Sequence, residues 1–132
     1  MTTTKTPETL EELVAKWGLL DGHGQGPYPA VYGPGKGWLP LLDELCGALV
    51  SMGWDRRVAQ IKEKFGGLRF YLPHEKHNEE LLELIWSFEE RSMSTCEHCG
   101  APGRMNKSRP WIRTLCEPCS EQWSKHDDAL LP

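Results

Sequence analysis

Four cysteines late in the chain form two matched pairs, Cys96-x-x-Cys99 and Cys116-x-x-Cys119, with sixteen residues between the pairs. Each C-x-x-C knuckle can turn two thiolates onto one ion, and two such knuckles meet the template for a tetrahedral structural zinc site. With all four positions filled by protein, no place is left for an activated water or a substrate, so one zinc in a scaffolding role is expected. A redox site of the thioredoxin type would need a single C-x-x-C beside a βαβ pattern, which is a different arrangement. His98 lies between two ligands, and adjacent residues rarely reach one tetrahedral ion. It reads as exposed, or as a partner held behind a ligand. His74 and His77 would bind a second metal only with further ligands, and none stands out; they read as solvated loop residues.

Other chemistry is sparser. The segment Gly33-Pro34-Gly35-Lys36-Gly37 precedes a helix, and glycine-rich turns at helix starts offer amide donors to anions. A phosphate-binding loop would need Gly where Ala30 stands and Ser or Thr where Gly37 stands. An enzyme site at this loop is therefore the most distant of three functional readings. The acidic residues between 75 and 90 spread around a helix instead of converging, and no nucleophile lies paired with a base. Cys46, in an apolar run, reads as a core thiol.

The chain carries a formal charge of −4, and four thiolates on one Zn²⁺ would add about −2. That balance excludes a uniformly basic nucleic-acid binder. Its basic residues are nevertheless clustered: Arg56, Arg57, Lys62, Lys64 and Arg69 in one block, Arg104, Lys107, Arg109 and Arg113 in another. Trp111 stands inside the second block, a mixture of aromatic and cation suited to a partner surface or to stacking on unpaired bases. Arg104, Lys107, Arg109, Trp111, Arg113 and Arg69 are thus the candidate contact residues. The other tryptophans of the six read mainly as core or ribbon-docking side chains.

The elements that must position these residues follow from the pattern. A first helix is expected from Pro7 to Trp17, with Thr6 as N-cap and Gly18 as its end. Residues 21–37 hold six glycines and three prolines and read as a loop. The run from Trp38 to Met52 places Leu41, Leu42, Leu45, Cys46, Leu49 and Val50 on one helical side, the expected core anchor. Alternation from Arg57 to Lys64, the glycines at 66 and 67, and Leu68 to Leu72 predict a hairpin with Leu68, Phe70 and Leu72 inward and Arg69 and Tyr71 outward. A third helix spans Asn78 to Met93. Trp111 to Leu115 reads as a strand feeding Cys116, and a short helix follows Cys119. The fold class is α+β: about three helices on a short antiparallel hairpin, then a four-cysteine zinc ribbon and a short terminal helix. Two units are expected, 1–95 and 96–132.

Three stretches together resemble a group of small uncharacterised bacterial and bacteriophage proteins: Gly37-Trp38 leading into LLDELC, IKEKFGGLRFY at 61–71, and CEHCGAPG at 96–103 followed by Leu115-Cys116. The likeness covers residues 31–119 and not the first thirty. It implies a ribbon-bearing fold in a bacterial cytosol, or an infected host's cytosol if phage-encoded, and implies no activity. In that group the last metal ligand can be a histidine, where Cys119 stands here.

The start of the chain has no apolar run behind a basic head, and no stretch is long enough to cross a bilayer, so a cytoplasmic protein without membrane contact is expected. The functional reading is non-enzymatic binding of a macromolecular partner, favouring a protein such as a host or defence factor, with nucleic-acid binding through ribbon and hairpin as the alternative.

Overall fold

Helix α1 (Leu10–Trp17) starts later than the Thr6-Pro7 signal suggests. Thr9 is its N-cap, and its hydroxyl accepts from the Glu12 amide at 3.0 Å. Thr9-x-x-Glu12 is the spacing of a capping box, and it overrides the generic preference for proline at a first helical position. Gly18 ends the helix in the left-handed conformation, as expected. The computed structural model describes residues 5–31, 33–73, 78–107 and 111–130. Among these it holds four helices and two small antiparallel sheets, an α+β mixture.

Among the described residues of 21–35 there is no helix or strand, in keeping with their breakers. A single 3₁₀ turn (Lys36–Trp38) leads into α2 (Leu39–Ser51), whose Leu41, Leu42, Leu45, Cys46 and Leu49 are buried. Val50 is only half-buried and packs at the margin of this core. Burial pushes the Cys46 thiol up to about 12, with Asp43 adding to the effect and Lys16 opposing it. A thiol so placed is an inert part of the core.

Strands β1 (Gln60–Lys64) and β2 (Gly67–Tyr71) form the hairpin, with Ile61 opposite Phe70 and Lys62 opposite Arg69. Leu68 and Phe70 are buried and Tyr71 is exposed, as alternation requires. The first strand is shorter than expected. Val58 and Ile61, three residues apart, are both buried, so strict alternation cannot begin before Gln60. The turn also differs, since its two central residues are Phe65 (φ 53°) and Gly66 (φ 82°), while Gly67 already pairs with Lys64. Two positive φ angles define the tight turn whose twist suits a hairpin, and Phe65 bears the cost of a left-handed conformation that Gly66 adopts freely.

Both edges of this two-stranded sheet are closed by other parts of the chain. On the β2 side, Ser92 Oγ accepts from the Leu68 amide and Glu89 Oε2 from the Phe70 amide, each at 2.9 Å. Beside β1, the Val58 amide donates to the Leu20 carbonyl and the Ile61 amide to the Tyr28 hydroxyl. Such capping blunts the unpaired edges that invite aggregation.

Helix α3 (Glu79–Ser92), capped by Asn78, packs on β2 and α2 through Leu81, Ile85 and Phe88. The core thus runs from Leu13 of α1 through α2 and the hairpin to Phe88 of α3. Beyond it come β3 (Arg104–Asn106), β4 (Arg113–Leu115) and α4 (Glu117–Leu130). Strand β4 begins after Trp111 and Ile112. Helix α4 spans 14 residues and starts at Glu117, so Cys119 lies in its first turn instead of before it. Among the described residues, no helix is long and apolar enough to cross a membrane.

Candidate metal centre and its surroundings

The two knuckles approach each other through the β3–β4 pairing, in which Arg104 faces Leu115 and Asn106 faces Arg113. Cys96 and Cys99 sit in a turn closed by the Gly100 amide on the Cys96 carbonyl at 2.9 Å, while the Cys96 amide donates to Ala101 at 2.7 Å. Cys116 follows β4 directly, and Cys119 is carried by α4. All four Sγ atoms lie within 4.8 Å of one another. Cys99 Sγ is 3.6 Å from Cys116 Sγ, too far for a disulfide at about 2.05 Å. It is close to the separation of about 3.8 Å that tetrahedral zinc–sulfur bonds of about 2.3 Å impose. The four sulfurs could therefore hold a metal ion, which is what the spacing suggests.

The electrostatics suit stepwise ionisation. Burial works against a charge on Cys96, but amide donors of Cys116, Cys99 and His98 outweigh it and hold that thiol at about 7. At Cys99 the Ala101 amide favours the thiolate, yet the sulfurs of Cys116 and Cys96 push it up. Burial and the same crowding raise Cys119 further. Four such sulfurs are poor neighbours as thiolates without a cation, and a dication would remove that conflict by taking all of them in ionised form. His98 is exposed.

Glu97, between two ligands, is only 6 % exposed and ties the knuckle to the body of the protein. Its carbonyl accepts from the Gly37 amide at 2.7 Å, its Oε2 from the Gly35 amide at 2.9 Å, and its own amide donates to Thr114 at 2.9 Å. The approach is so close that a Cβ on Gly37 would lie 2.3 Å from the Cys96 carbonyl oxygen. Two amides of the glycine-rich loop are thus engaged by a carboxylate and a carbonyl of the chain itself. Two further ties add to this: the Trp38 indole donates to the Thr95 carbonyl at 2.8 Å, and the Thr114 hydroxyl to the Gly66 carbonyl at 2.6 Å. Burial raises the Glu97 carboxyl above its ordinary value; the Gly35 amide and Arg113 oppose that shift, while Glu63 adds to it.

Of the candidate contact residues, Trp111 and Arg113 come together. Trp111 is 63 % exposed, and the Arg113 guanidinium lies 5.9 Å from its ring centre and 5.2 Å from that of Trp123. The two indoles meet edge to face at 6.4 Å, and Arg113 also approaches Glu97 at 3.7 Å. Arg104 and Lys107 are exposed at the two ends of β3. Arg69 is apart from this group, on the hairpin, where its charge acts on Glu89. Arg109, like His74 and His77, lies outside the described residues. Sequence reasoning missed Glu97 and, reading Trp123 only as a core or ribbon-docking side chain, its part in holding Trp111 and Arg113. Trp123 could have been found from its place one helical turn beyond Cys119, a spacing of four that aligns the two on one side.

Beside Trp111 opens a cleft of about 620 Å³, between the glycine-rich loop and β1, with Glu97 in its wall. Trp111 and Val31, which is 73 % exposed, are large apolar side chains on its margin. Comparison of the chain with protein families, with curated proteins and with solved structures finds no match.

Proposed function

We propose that the chain is a non-enzymatic zinc protein of bacterial or phage type that works by binding a partner protein, with the metal holding the binding surface in place. Zinc is the ion that four thiolates in a closed tetrahedral site select, along with iron. Cys96, Cys99, Cys116 and Cys119 would hold it, and the bound ion would fix the ribbon without taking part in a reaction. The knuckle's ties through Glu97, Thr95 and Thr114 extend that order to the loop and the hairpin tip. Engagement of the Gly35 and Gly37 amides by Glu97 supports a structural role for the glycine-rich loop.

The observation that carries the reading is Trp111: a large indole, mostly exposed, yet fixed by Arg113 and Trp123 on a metal-stapled ribbon. Rigid exposed tryptophan and arginine are the residues that dominate protein interfaces, because little side-chain entropy is lost when they bind. Carboxylates around the adjoining cleft disfavour a phosphate backbone there.

The test is capture of a partner by zinc-loaded protein. Retention of a discrete protein after nuclease treatment, weakened by about 2 kcal/mol or more in Trp111→Ala, is expected. The contrary result is micromolar binding of a short oligonucleotide at about 150 mM salt, lost when exposed Arg104 and Lys107 are reversed in charge.

A further inference from the structure

Helix α3 and the hairpin together present a face of three stripes. Glu89 and Ser92 of α3 bond the amides of β2, which fixes how the helix is turned. At about 100° per residue, Met93 and Trp86 follow Glu89 around the helix on the side away from Leu81, Ile85 and Phe88, and Glu79, Glu90 and Glu83 come next. All five are exposed, Trp86 by 58 %. A Cβ on Gly67 would lie 3.6 Å from Met93, so this apolar stripe borders the hairpin. Across that border the outward side of the hairpin holds Lys62, Lys64 and Arg69, with Gln60 and Tyr71 and no acid.

The face thus runs from basic through apolar to acidic, and its charges repel their own kind. Lys62 stands directly opposite Arg69, a like-charge pair that weakens a sheet, and Glu79 and Glu83 stand four apart on one helix, which is likewise unfavourable. Lys62 and Lys64 rest over the rings of Tyr71 and Phe65, 5.6 Å from each centre, contacts that leave their charge in place. Among the described residues, none of these six charged side chains is in an ion pair: Arg91 of α3 goes to Glu44, and Glu89, within the field of Arg69, is committed to the Phe70 amide.

We infer that this face binds a second copy of the chain about a two-fold axis running along the apolar stripe. Rotation about that line lays the basic stripe of each copy on the acidic stripe of the other and sets Trp86 beside its own counterpart. An isologous interface needs such self-complementarity, with an aromatic anchor at its centre and charges at its rim. An acidic partner of another kind would meet the basic stripe alone. The net charge of −4 on each copy opposes association at long range, but at about 150 mM salt it is screened beyond about 8 Å, whereas the stripes meet in contact. Trp111 lies by the cleft on the β1 side and takes no part, so the dimer and the partner reading above are independent.

Sedimentation velocity of the zinc-loaded protein at about 150 mM salt should give twice the mass of the chain, with a dissociation constant of about 100 μM or tighter. Trp86→Ser should weaken dimerisation about tenfold or more, with the amide spectrum of the monomer retained. Lys62→Glu with Arg69→Glu, and Glu83→Lys with Glu90→Lys, should each give monomer when alone. Mixing the two variants should restore a one-to-one dimer, because each then carries the charge that the other faces, and this rescue separates a lost contact from a lost fold. Monomeric parent protein at about 0.5 mM, a dimer indifferent to Trp86→Ser and to both charge variants, a mixture that stays monomeric, or a dimer abolished by Trp111→Ala would overturn the inference. If the parent is monomeric and a nuclease-resistant partner still depends on Trp111, only the dimer falls.

Discussion

The body and the ribbon of this protein are held together by different physics. In the body, Leu42, Leu45 and Leu49 of α2, Ile61 and Leu68 of the hairpin and Ile85 of α3 are all essentially inaccessible and form one apolar cluster. Around β3 and β4 the buried ones among the described residues are Cys96, Glu97, Thr114 and Leu115, two of them polar. That is far too little apolar surface to offset the chain entropy of ordering some thirty residues, each costing about 1–2 kcal/mol. One region therefore folds by removing hydrocarbon from water, and the other would draw on a metal joining its four thiolates and on its hydrogen bonds to the body. The same kind of mutation must then act differently in the two.

The largest effect is expected at Cys99→Ser. A metal held by the four thiolates would contribute about 10–16 kcal/mol to the ribbon's order, and a three-thiolate site would give up most of it. Hydrogen exchange should show protection lost at Thr114 and Leu115 while Leu45 and Leu49 stay protected. Loss of protection everywhere in one step would break the comparison.

Next comes the hairpin. Phe70→Ala should cost about 3–5 kcal/mol in the body's unfolding free energy, whereas Arg69→Ala should be nearly neutral. Small, equal effects in denaturant titrations would mean that β2 is not part of the core.

Gly37→Ala probes the seam between the regions, because its Cβ would be driven into the Cys96 carbonyl. A loss of about 1–3 kcal/mol is expected, with weakened zinc retention against a chelator. Unchanged stability and retention would show the seam to be passive.

The smallest effect concerns pH. Burial raises the Glu89 carboxyl above its ordinary 4.5, opposed by the Phe70 amide and by Arg69. A raised carboxyl binds its proton more tightly in the folded state, so its favourable contribution is complete below the unfolded pKa and is lost as pH rises through the folded one. Glu89→Gln still offers an oxygen to Phe70, so its melting temperature should gain on the parent's as pH rises from about 4 to 6. A gap that stays constant with pH would show that Glu89 titrates normally.

What the sequence disclosed follows the same division. Helices α2 and α3 and the face of β2 were legible because apolar periodicity reports burial directly, and the cysteine quartet because ligand spacing is a chemical constraint. The start of α1 was misplaced because Thr6-Pro7 and Thr9-x-x-Glu12 are competing start signals, settled by which side chain reaches an amide. At Phe65 the turn uses a residue that local preference disfavours, so the glycine pair pointed one position too late. Glu97 was illegible, since nothing local to a charged residue between ligands reveals two glycine amides sixty residues away.

The central claim is that four thiolates hold one structural zinc. Elemental analysis of protein purified without chelator, paired with native mass spectrometry, tests it most directly. The account predicts one zinc per chain bound by Cys96, Cys99, Cys116 and Cys119 and lost in Cys99→Ser. Metal-free protein with a protected ribbon, or zinc retained undiminished in Cys99→Ser, would contradict it.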